Sequence, residues 1–100
     1  MARAIIGPDQ NARIRYSVPT GRTIEFDVRA DHSVKTYVMT KKGLEEWDNG
    51  NKKFKYFGGF QDPRRHHHQT LILPFGGHWY LVIVNPSTKN SVEVTYEVLY

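Results

Sequence analysis

Hydrophobic and polar residues alternate with a period of two along most of this chain, the pattern of strands that bury one face. Ile14, Tyr16 and Val18 alternate with Arg13, Arg15 and Ser17, and Pro19-Thr20-Gly21 follows as a turn signal. Ile24, Phe26 and Val28 alternate with Thr23, Glu25 and Asp27, and Val34, Thr36 and Val38 with Lys35, Tyr37 and Met39. Near the end, Val92, Val94, Tyr96, Val98 and Tyr100 line one face while Glu93, Thr95 and Glu97 line the other. Thr70–Leu73 and Trp79–Val84 are apolar on both parities, which suits central strands covered on both faces. Pro74 and Gly76-Gly77 join these two runs and predict a hairpin between them. Lys41–Gly50 breaks the alternation. Leu44 and Trp47 stand three apart, Glu45 and Glu46 share a polar face, and Gly50 stands where a left-handed C-cap is wanted. That spacing predicts a short helix near residues 41–49, lying across an open end of the fold with Trp47 as a plug. With turn signals at roughly ten-residue spacing, the pattern predicts an all-β, antiparallel β-sandwich of jelly-roll type with about seven or eight strands.

Length and composition narrow this further. A chain of 100 residues predicts one domain over 1–100, burying roughly 60–70% of its unfolded surface. An apolar share of 39% with 13% aromatic residues supports one small core. The chain has no cysteine, which excludes a disulfide framework, a thiolate nucleophile and thiolate metal sites. No run of about 18 apolar residues exists, so no transmembrane segment is expected. Met1–Pro8 is too short for a signal-peptide core, and a cytoplasmic protein is expected.

Charge is uneven. The net charge of +4 concentrates between Lys35 and Arg65, which hold eight basic and four acidic residues. Here bases interleave with aromatics: Trp47, Lys52, Lys53, Phe54, Lys55, Tyr56, Phe57 and Phe60, then Arg64 and Arg65. On a strand, Phe54 and Tyr56 share one face and Lys53, Lys55 and Phe57 the other, so cations flank an aromatic that can stack or insert. Such a surface suits a nucleotide, single-stranded nucleic acid, an anionic lipid surface or an acidic protein edge. The alternative is that Phe54 and Tyr56 belong to the core and the lysines guard an edge strand against aggregation.

The run Tyr37–Gly50, followed by Tyr56-Phe57-Gly58-Gly59 and by Leu73-Pro74-Phe75-Gly76-Gly77-His78-Trp79-Tyr80, resembles an uncharacterised family of small bacterial β-sandwich domains. Members of that family occur alone or joined to TIR domains, with no assigned activity. More distantly, the plan is similar to GOLD (Golgi dynamics) sandwiches, which act as binding modules. The likeness covers about residues 22 to 100. It implies a GOLD-like sandwich and supplies no catalytic residue. Thr40 stands where the family has an acid, and Gly43 where it has Asn.

Other constellations carry less chemistry. In a strand, His66 and His68 point to one face and His67 to the other, so two imidazoles at most could share a metal. A polar strand start, with rings stacked on neighbours, accounts for the cluster better. His78, after two glycines, is placed to bond a hairpin carbonyl and pin the turn. Gly58-Gly59 and Gly76-Gly77 read as tight turns, since neither opens a phosphate-binding helix. Ser17, Ser33, Ser87 and Ser91 lack a nucleophile-elbow context. The sequence therefore predicts a non-catalytic binding module without a cofactor. Its candidate ligand-binding residues are Trp47, Lys53, Lys55, Tyr56, Arg64, Arg65 and His78, and its partner an anionic ligand or a protein. Two alternatives stand beside it: a metal-binding or pH-tuned site on His66 and His68, and a homo-oligomer formed through Met39, Leu99 and Phe60.

Overall fold

One 18-residue strand organises the molecule. A computed structural model describes residues 2–19 and 22–100, so the turn expected at Pro19-Thr20-Gly21 lies outside the described residues at Thr20 and Gly21. Among the described residues there are six strands and one helix: β1 (Ala2–Ile6), β2 (Asn11–Val18), β3 (Thr23–Thr40), α1 (Lys41–Asp48), β4 (Arg64–Ile72), β5 (Gly77–Val84) and β6 (Val92–Leu99). The two alternating runs expected as separate strands, Ile24–Val28 and Val34–Val38, are the halves of β3. All neighbouring strands pair antiparallel.

The first half of β3 pairs with β4 on one side and β6 on the other, and β6 pairs with β1. Its second half pairs with β5, and β5 with β2. The change of layer falls at Ala30–Ser33, where the β3–β4 register shifts between Arg29 and Val34. A register shift of this kind bends a strand and increases its local twist. The Asp31 carboxylate accepts from the Glu93 N–H at 3.0 Å, fastening the bend to β6. The result is a β-sandwich. Its inner faces bring Ile24, Phe26 and Val28 of β3 and Val92 and Val94 of β6 against Tyr16 and Val18 of β2 and Trp79, Leu81 and Ile83 of β5. Fully burying each such side chain contributes about 1.5–3 kcal/mol relative to leaving it exposed.

The hairpin predicted between Thr70–Leu73 and Trp79–Val84 does not form. Both flanks of β5 are taken by β2 and β3, so β4 joins the opposite layer as an edge strand. The Leu73 N–H bonds the Arg22 carbonyl, and the link to Gly77 crosses between layers. The apparent two-sided burial of Thr70–Leu73 was misleading too: Leu73 is buried, while Thr70 and Ile72 are exposed. For β5 the two-sided expectation holds. Trp79, Leu81 and Ile83 face the sandwich interior, while Val82, with Tyr80 and Val84, packs under Met39, Leu44 and Trp47.

That second cluster places α1 on the outer face of β3 and β5 rather than across an open end. Trp47 covers sheet instead of plugging a gap. Thr40 caps the helix, its hydroxyl accepting from the Gly43 N–H, and Gly50 follows the C-cap at φ 78°. No helix among the described residues is long and apolar enough to cross a membrane.

Candidate ligand-binding cleft

Residues 54–60 run beside the second half of β3 without forming a regular strand. Phe57 N–H bonds the Val38 carbonyl, Val38 N–H bonds the Gly58 carbonyl, and Thr36 N–H bonds the Phe60 carbonyl. The expected alternation of side chains survives this irregular backbone. Phe54 and Tyr56 turn to the outer face, where Tyr37, Trp47, Phe54 and Tyr56 stand with ring centroids 5.4–6.1 Å apart. Tyr56 remains 45% exposed. Arg13 of β2 lies 5.6 Å from the Trp47 ring centre and pairs with Asp48. That hydrogen bond holds the Asp48 carboxyl below its ordinary pKa and raises Arg13. Arg13 thereby latches α1 to β2, a contact that residues 35 apart in sequence do not announce.

Lys55 and Phe57 turn the other way. The Lys55 ammonium stands 5.0 Å from the Phe57 ring centre, and Phe57 meets Phe75 and Trp79 edge-on at 5.9 and 4.9 Å. Together with Thr40, Lys42, Gly43 and Glu46 of the helix start, Lys55, Phe57 and Phe75 line a cleft of about 320 Å³. That is the lower end of the range for small-molecule sites. Close approach of the backbone requires glycine at position 43: a Cβ there would stand 2.4 Å from the Lys55 carbonyl oxygen, so any side chain would push the wall of the cleft away. Phe75 is held by a hydrogen bond from Trp79 Nε1 to its carbonyl at 3.1 Å, leaving its ring 47% exposed. Among the described residues neither Lys42 nor Lys55 is in an ion pair.

The structure distributes the residues singled out from sequence over several settings. Trp47 and Tyr56 belong to the outer aromatic cluster, and Lys55 to the cleft. Lys53 lies in the exposed turn after α1, its N–H bonded to Asn51 Oδ1. Arg64 stacks on Phe60, 4.4 Å from its ring centre, at the start of β4, and Arg65 follows it, exposed. His78 bonds Ser17 Oγ across the β2–β5 pair at 2.9 Å, not a hairpin carbonyl. The sequence reading missed Lys42, Phe75 and Glu46, because their meeting depends on the helix docking beside the link between β4 and β5.

The histidines divide by parity as expected. His66 and His68 are exposed beside Asp27 (3.2 Å) and Glu25 (3.6 Å), and no group of three or more His, Asp or Glu among the described residues is placed to hold a metal ion. His67 is buried in a closed chain of bonds. Phe60 N–H donates to Thr36 Oγ1, Thr36 O–H donates to His67 Nδ1 at 2.9 Å, and Nε2–H is shared by the Val34 and Arg64 carbonyls at 2.8 and 2.9 Å. Two carbonyls at Nε2 require the proton there, so Nδ1 is the acceptor. Burial is the main cause lowering the His67 pKa. Gly58-Gly59 is not a tight turn but a passage pressed on β3: Gly59, at φ 101°, would bring a Cβ to 2.2 Å from the Thr36 carbonyl. Of the apolar residues expected at an oligomer interface, Met39 is buried under α1, Phe60 is half-buried and Leu99 is exposed.

In fold, the chain is similar to the pre-peptidase C-terminal domain of a collagenase from Bacillus anthracis, at 13% identity and a TM-score of 0.62, covering 96% of this chain and 88% of that one. A mutant of a family 29 carbohydrate binding module is also found, at 16% identity and a TM-score of 0.47, covering 96% of this chain and 68% of that one. The first likeness supports the β-sandwich. No protein-family model matches the chain, and no curated protein does.

Proposed function

We propose that this chain is a non-catalytic binding module whose basic and aromatic cleft takes a small anionic group carried on a flat apolar body. The observation that carries this reading is the meeting of Lys42 and Lys55, both free of ion pairs among the described residues, with the exposed ring of Phe75 in one concavity. The ammonium groups neutralise the anion, and the Phe57 and Phe75 rings cover the apolar part. Glu46, the acid in the lining, lowers the positive charge without cancelling it and disfavours an anion bound on its side.

Titration with adenosine monophosphate, a short oligothymidylate and phosphatidylglycerol vesicles tests this. At least one probe should bind, and Lys42→Gln with Lys55→Gln should weaken that binding by roughly tenfold, the scale of charge-assisted contacts discounted for exposure. No binding by any of the three, or binding that the double substitution leaves unmoved, contradicts the proposal.

A further inference from the structure

The helix α1 carries its charges against its own dipole. Lys41 and Lys42 open it and Glu45, Glu46 and Asp48 close it, with no acid in the first turn and no base in the last. Cations at a helix start and anions at its end cost stability rather than adding to it, so helix formation does not account for them. Arg13 answers Asp48, and Glu45 stands exposed. Glu46 differs from both. It is half-buried in the wall of the basic cleft, and it is in no ion pair among the described residues. Lys42 stands four residues before it, which on a helix brings the two Cβ atoms to about 5–6 Å, and lysine ahead of glutamate is the less favourable order for such a pair. Lys42, Glu46 and, from the facing segment, Lys55 therefore share one concavity with all three charges unpaired.

A carboxylate partly withdrawn from water without a partner costs free energy, and beside two ammonium groups it makes the cleft amphoteric. We infer, resting on the anion-binding reading of this cleft given above, that its ligand is a free aromatic α-amino acid in its zwitterionic form. The ligand carboxylate lies between Lys42 and Lys55, its α-ammonium donates to the Glu46 carboxylate, and its ring packs on the exposed ring of Phe75. Both charges of the zwitterion sit on one carbon, close enough together to fall between side chains one helical turn apart. Charge-assisted bonds of this kind are the stronger ones, and here the ligand supplies both signs. Other ligand classes use less of the cleft. A simple aromatic anion leaves Glu46 unpaired, an aromatic amine meets two bases and one acid, and an uncharged ring leaves all three charges unanswered.

Titration of the isotope-labelled protein with L-phenylalanine, L-tyrosine and L-tryptophan, each beside the 3-arylpropionate that lacks its amino group, tests the inference by NMR. At least one amino acid should shift the Gly43, Glu46 and Phe75 amide signals saturably, and its des-amino analogue should bind about fivefold more weakly. Glu46→Gln keeps the size of the side chain and removes its charge. It should weaken the amino acid about fivefold while leaving the des-amino analogue unchanged or tighter. A role of Glu46 in folding alone would move both ligands in the same direction. The inference is overturned if no amino acid binds while adenosine monophosphate, the oligothymidylate or the vesicles do, a result that leaves the anion-binding reading standing. It is equally overturned if the des-amino analogue binds as well as the amino acid, or if Glu46→Gln weakens both alike. Binding by none of the amino acids and none of the anionic probes overturns both readings.

Discussion

At the residue scale, the most informative side chain is His67, the middle member of a run of three histidines. Alternation separates it from His66 and His68, but which parity is buried depends on β4 as a whole. The inward residues of that strand are His67, Gln69 and Leu71, and the outward ones His66, His68, Thr70 and Ile72. An apolar Ile72 on the outer face and polar His67 and Gln69 on the inner one invert the usual pattern, so the hydropathy of β4 misled while its parity did not. Thr36 and the carbonyls of Val34 and Arg64 make burial of the imidazole tolerable. Substituting His67→Leu leaves these partners unsatisfied and should destabilise the fold by about 2–4 kcal/mol in denaturant titrations. The pH dependence follows from the same burial. The folded-state pKa of His67 lies below its ordinary value of 6.5, so as pH falls the unfolded chain takes up this proton first. The contribution is fully present above about pH 6.5 and is lost as pH falls through that value toward the folded pKa. Denaturation midpoints measured between pH 7.5 and 5 should therefore fall in the parent protein and fall less steeply in His67→Leu. Equal slopes would contradict the assignment.

At the scale of elements, the one-sided strands and the helix were legible because amphipathic periodicity is a local property. What was not legible is how elements choose neighbours. Pro74-Phe75-Gly76-Gly77 has the length and composition of a hairpin link, yet it crosses between layers because β5 already has β2 and β3 on its two edges. The runs at Ile24–Val28 and Val34–Val38 read as two strands because Asp31, His32 and Ser33 are polar and exposed. The backbone stays extended through them and changes layer there. The docking surface of the helix is hidden from the sequence for a related reason: the outer face of β5 is apolar at Val82 and needs a cover. The cleft depends on this docking, and Gly43 is its tightest point. Gly43→Ala should cost on the order of 1–3 kcal/mol and displace residues 55–57, since the new methyl meets backbone rather than a movable side chain. Thr40→Ala, which removes only the cap, should cost about 1 kcal/mol and leave residues 55–57 in place. Amide chemical shifts of Lys55 and Phe57 distinguish the two. Identical shift changes in both variants would show that the glycine has no special role in the wall.

At the scale of the whole molecule, the +4 charge is displayed rather than consumed. The ion pairs among the described residues involve Arg3, Arg13, Arg29, His66 and His68, and none of the eight bases from Lys35 to Arg65. The excess of positive charge in the middle third was therefore legible. Its grouping was not, because Lys42, Lys55 and Phe75 come from a helix, an irregular segment and an interlayer link. Free bases attract anions over a distance set by ionic strength, with a screening length of about 10 Å at 0.1 M. Binding in the cleft should weaken as salt rises, and the dependence should flatten when Lys42 and Lys55 are neutralised together. The most direct measurement is a map of backbone amide shifts during titration with adenosine monophosphate, the oligothymidylate or the vesicles, at low and at physiological salt. Saturable changes centred on Gly43, Lys55, Phe57 and Phe75, reduced at the higher salt, are the predicted result. Changes centred elsewhere, or none at low salt, would contradict it.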